Sequence, residues 1–342
     1  MTSLLEKINT LNDYDDYKKE ESKSPKIDDW NNQTQHKNFI EYFLESSGKA
    51  SIVKEFFQID LNNFERATHT NSVFFVGTLL YKNLNFKDKI KFTRNEINEF
   101  YFIWFLTSLV HDFGDDIEKN KDNYPKVTSE IKSLKEMLNI NTNDLLQQPL
   151  DKYSENMKKL IKHISPYYKE RFEGKQGSSS NGKIDHGIAS GLILYDGLVK
   201  NREKKEEEYG EIQKLDNNSS IYWAKELEKF YAYASYSIAI HNIRYPENSL
   251  KFSIEEDPFL FLFWLADTIE PIKSFQTEEC LPSYILENII IEFHNNKKGF
   301  TIKNNKDSKL DFSEYKNKIY NLIKFLKIDI NTKKKNIIKL SW

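Results

Sequence analysis

Cysteine is almost absent from this sequence, which has Cys280 alone among 342 residues. One thiol cannot form an intrachain disulfide and cannot build a thiolate zinc cluster. Secreted disulfide scaffolds and zinc-finger folds are therefore excluded. Any metal ion must be held by histidine and carboxylate side chains.

Long apolar runs and a basic leader are also missing. The first residues, MTSLLEKINTLNDYDDYKKEE, show no basic segment followed by an apolar one, and no uninterrupted apolar stretch reaches bilayer-spanning length. We therefore expect a cytoplasmic protein without membrane association. A GxxxxGK(S/T) phosphate loop and a GxSxG nucleophile elbow are absent as well, which disfavours P-loop and serine-hydrolase chemistry.

The overall charge is close to balanced, with 50 basic residues against 52 acidic ones. Such a chain does not recruit nucleic acid or anionic membrane through a whole-protein field. From Asn295 to Trp342, however, 13 lysines stand against 4 acidic residues. This tail is either a surface for a polyanion or a solvated lysine-rich surface, and the second interpretation is favoured.

Hydrophobic residues make up 39% of the chain, enough to close a core. From Phe39 to Cys280 they recur at helical spacing without strand-like alternation. We predict a mainly α protein in three parts: a polar, loosely packed arm over residues 1–35, a helical domain over 36–280 and a small α+β appendage over 281–342.

Apolar helices should form the helical domain, in FIEYFLES, IVKEFFQI, THTNSVFFVGTLLYKNL, IYWAKELEKFYAYASYSIAIHN and DPFLFLFWLADTIEPIK. A further helix should begin at Thr93, three residues before Glu96 in a capping-box pattern, and end at Val110. Residues 171–185 predict a mobile loop, and residues 201–220 an exposed insertion or a fraying helix end. In the appendage we expect two strands around a turn in NIIIEFHNNKKGFTIKNN, a helix in DFSEYKNKIYNLIKFL and a strand in NIIKLSW.

Of the seven histidines, His36 and His294 lie in polar surroundings. His69 should begin a helix and point to its apolar face. His111 ends an apolar helix on an inward stripe, and Asp112 follows about 100° around the helix axis. An adjacent histidine and carboxylate can hold one ion or bridge two, and a cation would also relieve the unfavourable position of Asp112 at the negative end of the helix dipole.

Three more residues carry the same signal. His186 opens DHGIASGLILYDGL, where Gly187 and Gly191 let a neighbouring helix approach closely and leave room for a ligand at His186. His241 ends an apolar helix. Asp267 lies in FLFLFWLADTIE, where a buried carboxylate without a partner would be costly, so we predict that a cation holds it.

The candidate ligands are thus four histidines and two aspartates: His69, His111, Asp112, His186, His241 and Asp267. Nitrogen and oxygen atoms suit Mn, Fe, Co, Ni, Zn or Mg. Six ligands and water fit two divalent ions about 3.5–4 Å apart better than one ion. The alternative without a function is that these are six unrelated polar residues in a core. The free energy cost of burying them disfavours it.

The order of His69, the dipeptide at 111–112 and a distant Asp267 in an LAD segment resembles the HD superfamily of metal-dependent phosphohydrolases. His186 in DHGIASG and His241 in IAIHN are similar to the additional ligands of its two-metal branches, which include HD-GYP phosphodiesterases and the nuclease domains of CRISPR helicase-nucleases. The resemblance covers about residues 60–275.

This resemblance implies an HD-type helical bundle with two divalent ions. Asp112 would bridge both ions. His69, His111 and Asp267 would complete one site, and His186 and His241 would complete the other. The GYP signature is absent, so specificity for cyclic di-GMP is not implied.

One position departs from the family. Asp115 stands three residues after Asp112, where many members carry a phosphate-binding lysine. The phosphate must therefore be contacted from elsewhere, and the candidates are Arg66, Lys183 and Arg244, each of which is otherwise an ordinary surface cation.

His163, in LIKHISPYY, has three interpretations. It could donate a proton to the leaving group as a general acid, or bind a metal ion in place of another histidine. The third and slightly favoured interpretation is a hydrogen-bonded histidine at a helix end.

The expected activity is hydrolysis of a phosphoester by metal-activated water, with Asp112 and His163 as the catalytic candidates. The substrate is a nucleotide, a cyclic nucleotide or a single-stranded nucleic acid. The alternative is a degenerate HD module that serves as a nucleotide sensor or a protein-interaction subunit. The sequence does not indicate an oligomeric state.

Overall fold

The structure is a computed structural model that describes residues 2–12, 14, 26–45, 63–94, 97–119, 121–140, 143–174, 183–209, 225–243, 250–277, 280–305 and 307–342. The chain divides into two compact units. Unit 1 consists of Met1–Phe43, Asp60–Phe102 and Asn248–Trp342, and unit 2 of Leu44–Ile59 and Ile103–Glu247, each as far as it is described.

The described chain is mostly helical, which confirms the mainly α class. Its helices are α1 (Leu4–Asn9), α2 (Gln33–Glu45), α3 (Phe64–Asn83), α4 (Phe86–Lys89), α5 (Phe100–Val110), α6 (Asp115–Lys119), α7 (Ile131–Met137), α8 (Glu155–Glu173), α9 (His186–Tyr209), α10 (Glu228–Ile240), α11 (Pro258–Ile269), α12 (Ile272–Phe275), α13 (Pro282–Asn288) and α14 (Phe312–Tyr320). The strands are β1 (Thr93–Arg94), β2 (Ile97–Asn98), β3 (Ile289–Phe293), β4 (Gly299–Asn304), β5 (Asp329–Asn331) and β6 (Ile337–Ser341). Among these helices none has the length and apolar character needed to cross a membrane.

In unit 1, helix α3 packs against α11. Helix α3 begins at Phe64 because the side chain of Asn63 caps it, accepting a hydrogen bond from the Arg66 amide at 3.0 Å. The prediction that His69 begins the helix is therefore wrong, since His69 lies more than one turn inside it. Helix α11 has Pro258 in its first turn, where the missing amide hydrogen costs nothing, and ends at Ile269, before Pro271.

The segment before α5 differs from its prediction. Strands β1 and β2 form a short antiparallel pair in which Thr93 faces Asn98, and the helix begins only at Phe100. The Asn98 side chain accepts a hydrogen bond from the Phe100 amide at 3.0 Å. Asn98, and not Thr93, therefore caps the start of the helix. Glu96 and the predicted helix IVKEFFQI lie outside the described residues. The end of α5 at Val110 is confirmed.

The N-terminal arm is not loosely packed where it is described. Ser3 and Glu6 form a reciprocal capping box on α1. Leu4, Ile8 and Trp30 are fully or almost fully buried. The expectation was wrong because these few apolar side chains are widely spaced within a polar stretch.

The appendage lies within unit 1 and has the predicted pair of strands, helix and final strand. Its antiparallel sheet has the order β3-β4-β6-β5. The three-residue strand β5 was not predicted, because so short a segment has no readable alternation. The Tyr315 hydroxyl of α14 is buried and donates a hydrogen bond to the Ile269 carbonyl at the end of α11.

In unit 2, helices α9 and α10 lie against each other at small residues. A Cβ atom at Gly187 would come within 2.8 Å of the His241 ring, and one at Gly191 within 2.5 Å of the Ser235 carbonyl oxygen. The predicted close approach is confirmed. Helix α9 begins at His186 as expected and continues to Tyr209, so residues 201–209 are helical; residues 175–182 and 210–220 lie outside the described chain.

His36 is buried in unit 1, so the expectation of polar surroundings is wrong. Its Nε2 donates to the Trp30 carbonyl at 3.0 Å, and its Nδ1 accepts from the Asn71 amide nitrogen at 3.0 Å. Both ring nitrogens of the neutral imidazole are thereby satisfied. Burial lowers the pKa of His36 to about 4, although the Trp30 carbonyl and Asp29 act in the opposite direction.

We expect acid to destabilise the protein through His36. Because the pKa is lower in the folded state, the unfolded state takes up the proton first as the pH falls below 6.5. The free energy of unfolding should therefore fall by about 2 kcal/mol from this group between pH 7 and pH 5. Urea unfolding of wild type and His36→Gln across this range measures it, and equal pH slopes in the two proteins would contradict the prediction.

Candidate metal centre

Unit 2 brings together four of the predicted ligands. Asp112 lies in the turn that follows α5, and His111, His186 and His241 lie around it. The two carboxylate oxygens of Asp112 face different imidazoles: Oδ2 lies 3.5 Å from Nε2 of His111, and Oδ1 lies 3.6 Å from Nε2 of His186. The rings of His186 and His241 meet edge to face, with centroids 5.3 Å apart. One ligand atom from each of Asp112, His186 and His241 lies within 4.8 Å of the others.

The three histidines of this group share one arrangement, in which Nδ1 contacts an acceptor and Nε2 points to the group. The Nδ1 partners are the Ser108 carbonyl for His111 at 2.7 Å, the Ile238 carbonyl for His241 at 2.6 Å, and Glu118 Oε2 for His186 at 2.7 Å. Since these acceptors hold the proton on Nδ1, each Nε2 keeps a lone pair. This is the usual geometry of histidines that bind metals.

Two charged residues that the sequence analysis did not identify, Glu118 and Arg171, are linked to Nδ1 of His186. Arg171 Nη2 donates to Glu118 Oε1 at 2.7 Å, while the other oxygen of Glu118 accepts from His186. Burial would raise the pKa of Glu118, but His186 and Arg171 outweigh burial and lower it to about 2. Burial lowers the pKa of His186, and Glu118 and Asp112 raise it by more, so the net shift is upward.

Asn242, which follows His241 directly, was also missed. Its Nδ2 lies 2.7 Å from Nε2 of His186 and 2.9 Å from Nε2 of His241. A half-turn of the carboxamide would present its oxygen there instead, and a carboxamide oxygen is a ligand for hard divalent ions. The position next to His241 was the only signal in the sequence.

The other two predicted ligands, His69 and Asp267, lie together in unit 1. Nε2 of His69 is 3.6 Å from Asp267 Oδ1, and its Nδ1 donates to Glu270 Oε2 at 2.9 Å. Asp267 is half-buried, with 25% of its side chain exposed, so the prediction of a fully buried carboxylate is wrong. Glu270, which directly follows α11, is the fully buried carboxylate of this pair, and its spacing of three residues from Asp267 was the sign in the sequence that the two could lie close together.

Glu270 is held strongly in its charged form. It accepts from His69 and from the amides of Ile272 at 2.6 Å and Lys273 at 3.0 Å. Burial would raise the pKa of Glu270, but His69, with smaller contributions from Ser72 and the Lys273 amide, outweighs burial and lowers it. Glu270 thus orients His69 as Glu118 orients His186.

The donor chemistry of the unit 2 group fits a divalent ion. The ligand atoms of Asp112, His186 and His241 lie within 4.8 Å of one another, and two bonds of about 2.0–2.2 Å to one ion would span up to about 4.4 Å. Imidazole nitrogens and carboxylate oxygens suit the metals predicted from the sequence. Asp112, His186 and His241 would hold such an ion, and Nε2 of His111 lies beside them, 3.5 Å from Asp112 Oδ2.

The remaining candidates are the three predicted phosphate-binding residues and His163. Arg66 is half-buried in the first turn of α3, Lys183 is exposed three residues before α9, and Arg244 lies outside the described residues. His163 lies in the middle of α8, so the helix-end position expected for it is wrong. Its ring centroid is 6.4 Å from that of Tyr167.

Comparison of the chain with models of protein families, with curated proteins and with solved structures finds no match.

Proposed function

We propose that this protein is a divalent-metal-dependent phosphohydrolase whose reaction is centred on Asp112. The observation that carries the proposal is the pair of contacts from the two oxygens of Asp112 to Nε2 of His111 and Nε2 of His186. With the protons of both rings held on Nδ1, these atoms form a converging set of lone pairs. A carboxylate placed in this way can bridge two ions.

A divalent ion, when bound, polarises a phosphoryl oxygen and lowers the pKa of its water toward neutrality. The chain supplies the other requirements. His186 and His241 would hold the ion together with Asp112, and Glu118 keeps the proton of His186 on Nδ1, so that Nε2 is left free to bind it.

The carboxylates around His186 set a condition on the binding of a phosphoester. Asp112 and Asp115 lie near His186 and would repel a phosphate group unless a metal ion neutralised them. Substrate binding should therefore depend on the metal. The resemblance of the ligand order to the HD superfamily supports a nucleotide, a cyclic nucleotide or a single-stranded nucleic acid.

His69 and Asp267 are proposed as a further pair of metal ligands, within unit 1. Their support is the orientation of His69, whose Nδ1 donates to Glu270 and whose Nε2 faces Asp267. Whether the protein binds one ion or two is decided by the metal content per chain.

Elemental analysis combined with turnover tests this proposal. The purified protein should carry a transition metal or bind Mn²⁺, and it should hydrolyse bis(p-nitrophenyl) phosphate or a member of a panel of nucleotides, cyclic nucleotides and single-stranded DNA and RNA. EDTA should abolish turnover, and added Mn²⁺ should restore it. Protein that binds no divalent ion would instead favour the degenerate sensor module, and metal-loaded protein that cleaves none of these substrates would contradict the proposal.

A further inference from the structure

We propose that Arg171 is the positioning residue of the unit 2 metal centre, an inference that rests on the proposed function. Arg171 lies on α8, a helix that contributes none of the six predicted metal ligands. Its guanidinium contacts Glu118, Asp185 and Tyr167, and each of these three partners orients a different part of the centre.

The first connection runs through Glu118 to the His186 ring. Arg171 Nη2 donates to Glu118 Oε1 at 2.7 Å, and Glu118 Oε2 accepts from His186 Nδ1 at 2.7 Å. The carboxylate therefore has one oxygen for each partner. With Arg171 in place, Glu118 cannot rotate without losing a charge-assisted hydrogen bond.

The second connection runs through Asp185 to the backbone of His186. Asp185 is fully buried and lies 3.3 Å from Arg171 Nε. Its Oδ1 accepts a hydrogen bond from the Ile188 amide at 3.0 Å, so it caps the first turn of α9, in which His186 is the first residue. A fully buried carboxylate needs a cation beside it, and Arg171 provides that charge.

The third connection reaches the other side of the centre. Arg171 Nη1 donates to the Tyr167 hydroxyl at 3.3 Å, and this hydroxyl donates to the Asn242 carbonyl at 3.1 Å. The Asn242 side chain then contacts Nε2 of both His186 and His241. Arg171, Glu118, His186, Asn242 and Tyr167 thus form a closed ring of hydrogen bonds.

Only arginine can make this set of contacts. The three partners approach Nε, Nη1 and Nη2 separately, and the guanidinium holds these nitrogens in a rigid plane. Lysine would keep the positive charge but would offer one nitrogen on a flexible stem. Comparison of Arg171→Met with Arg171→Lys therefore separates the effect of the charge of Arg171 from the effect of its planar geometry.

The test compares Arg171→Met, Arg171→Lys and the control Lys169→Met, which removes an exposed cation of the same helix that pairs with Glu173 at the surface. Mn²⁺ affinity is measured by calorimetry, and coordination geometry by the visible absorption of the Co²⁺-loaded protein. Arg171→Met should weaken Mn²⁺ binding about 10- to 100-fold and alter the Co²⁺ spectrum. Arg171→Lys should recover only part of the affinity, and Lys169→Met should match wild type.

A double-mutant cycle with Glu118→Gln adds a readout that a general loss of stability would not move. If Arg171 acts on the metal through Glu118, the losses of affinity should be strongly non-additive, with the double variant little weaker than the weaker-binding single variant. Losses that simply multiply would overturn the proposal, as would wild-type affinity and an unchanged Co²⁺ spectrum in Arg171→Met. If Arg171→Met does not fold, Arg171→Lys decides, and its full recovery of affinity and spectrum would overturn the proposal. Absence of metal binding in wild type would instead refute the proposed function itself.

Discussion

Asp112→Asn is expected to reduce metal-dependent turnover by about 10³-fold or more, because several kcal/mol of transition-state stabilisation come from the metal centre. The substitution keeps the shape of the side chain. It replaces one of two charged oxygens by an NH₂ group, which donates a hydrogen bond toward an Nε2 where a ligand atom is needed. Metal affinity should fall together with turnover.

The measurement is kcat/KM at saturating Mn²⁺, with the metal content of the same samples. Asp151→Asn is the matched control, since it makes the same chemical change at an exposed position of unit 2. Circular dichroism should be the same for both variants and wild type. Full metal content and full turnover in Asp112→Asn would show that Asp112 is not a ligand.

Glu270→Ala is expected to lower the free energy of unfolding by about 3–5 kcal/mol, because several hydrogen bonds lose their acceptor at a cost of about 1–3 kcal/mol for each buried donor. The substitution leaves three donors without their acceptor, namely the buried His69 Nδ1, the buried amide of Ile272 and the partly buried amide of Lys273. Glu287→Ala, at an exposed position of α13, is the control and should cost little.

The pH dependence of this effect distinguishes charge from shape. The pKa of Glu270 is lowered in the folded protein, so its contribution is fully present above its ordinary value of 4.5 and is lost as the pH falls through the folded value. Urea unfolding in EDTA should therefore show the largest difference between wild type and Glu270→Gln at pH 7 and a smaller one in acid. A difference that is constant with pH would mean that the charge of Glu270 contributes nothing.

Sequence patterns predicted the apolar helices well and the segments between them poorly. The end of α5 at Val110 and the bounds of α11 follow from uninterrupted apolar spacing and from proline. The start of α5 could not be read, because two capping signals compete and the choice of Asn98 over Thr93 depends on the pairing of β1 with β2. The arm was misjudged because its apolar residues are few among polar ones, and α1 is buried against α3 and α13, which come later in the chain.

For the candidate site, the sequence revealed ligands but not their partners. His111 and Asp112 attract notice because polar side chains are rare at such apolar positions. Glu118 and Arg171 lie in charged segments, where nothing distinguishes them from solvated residues. His36 failed in the opposite direction, since its polar neighbours in sequence conceal a fully buried ring. The partner of a buried polar atom is a property of the fold, and chain order does not encode it locally.

The order of segments in unit 1 has a consequence for synthesis on the ribosome. Helix α3 is made early, yet α11, against which it packs, follows it by more than one hundred and seventy residues, and β6 comes later still. The described helices of unit 2 are all made between these segments. During translation, earlier segments such as α1 can already cover part of α3, but the part that packs against α11 has no partner until α11 is made, and we expect it to be the surface of unit 1 most exposed to association with other chains.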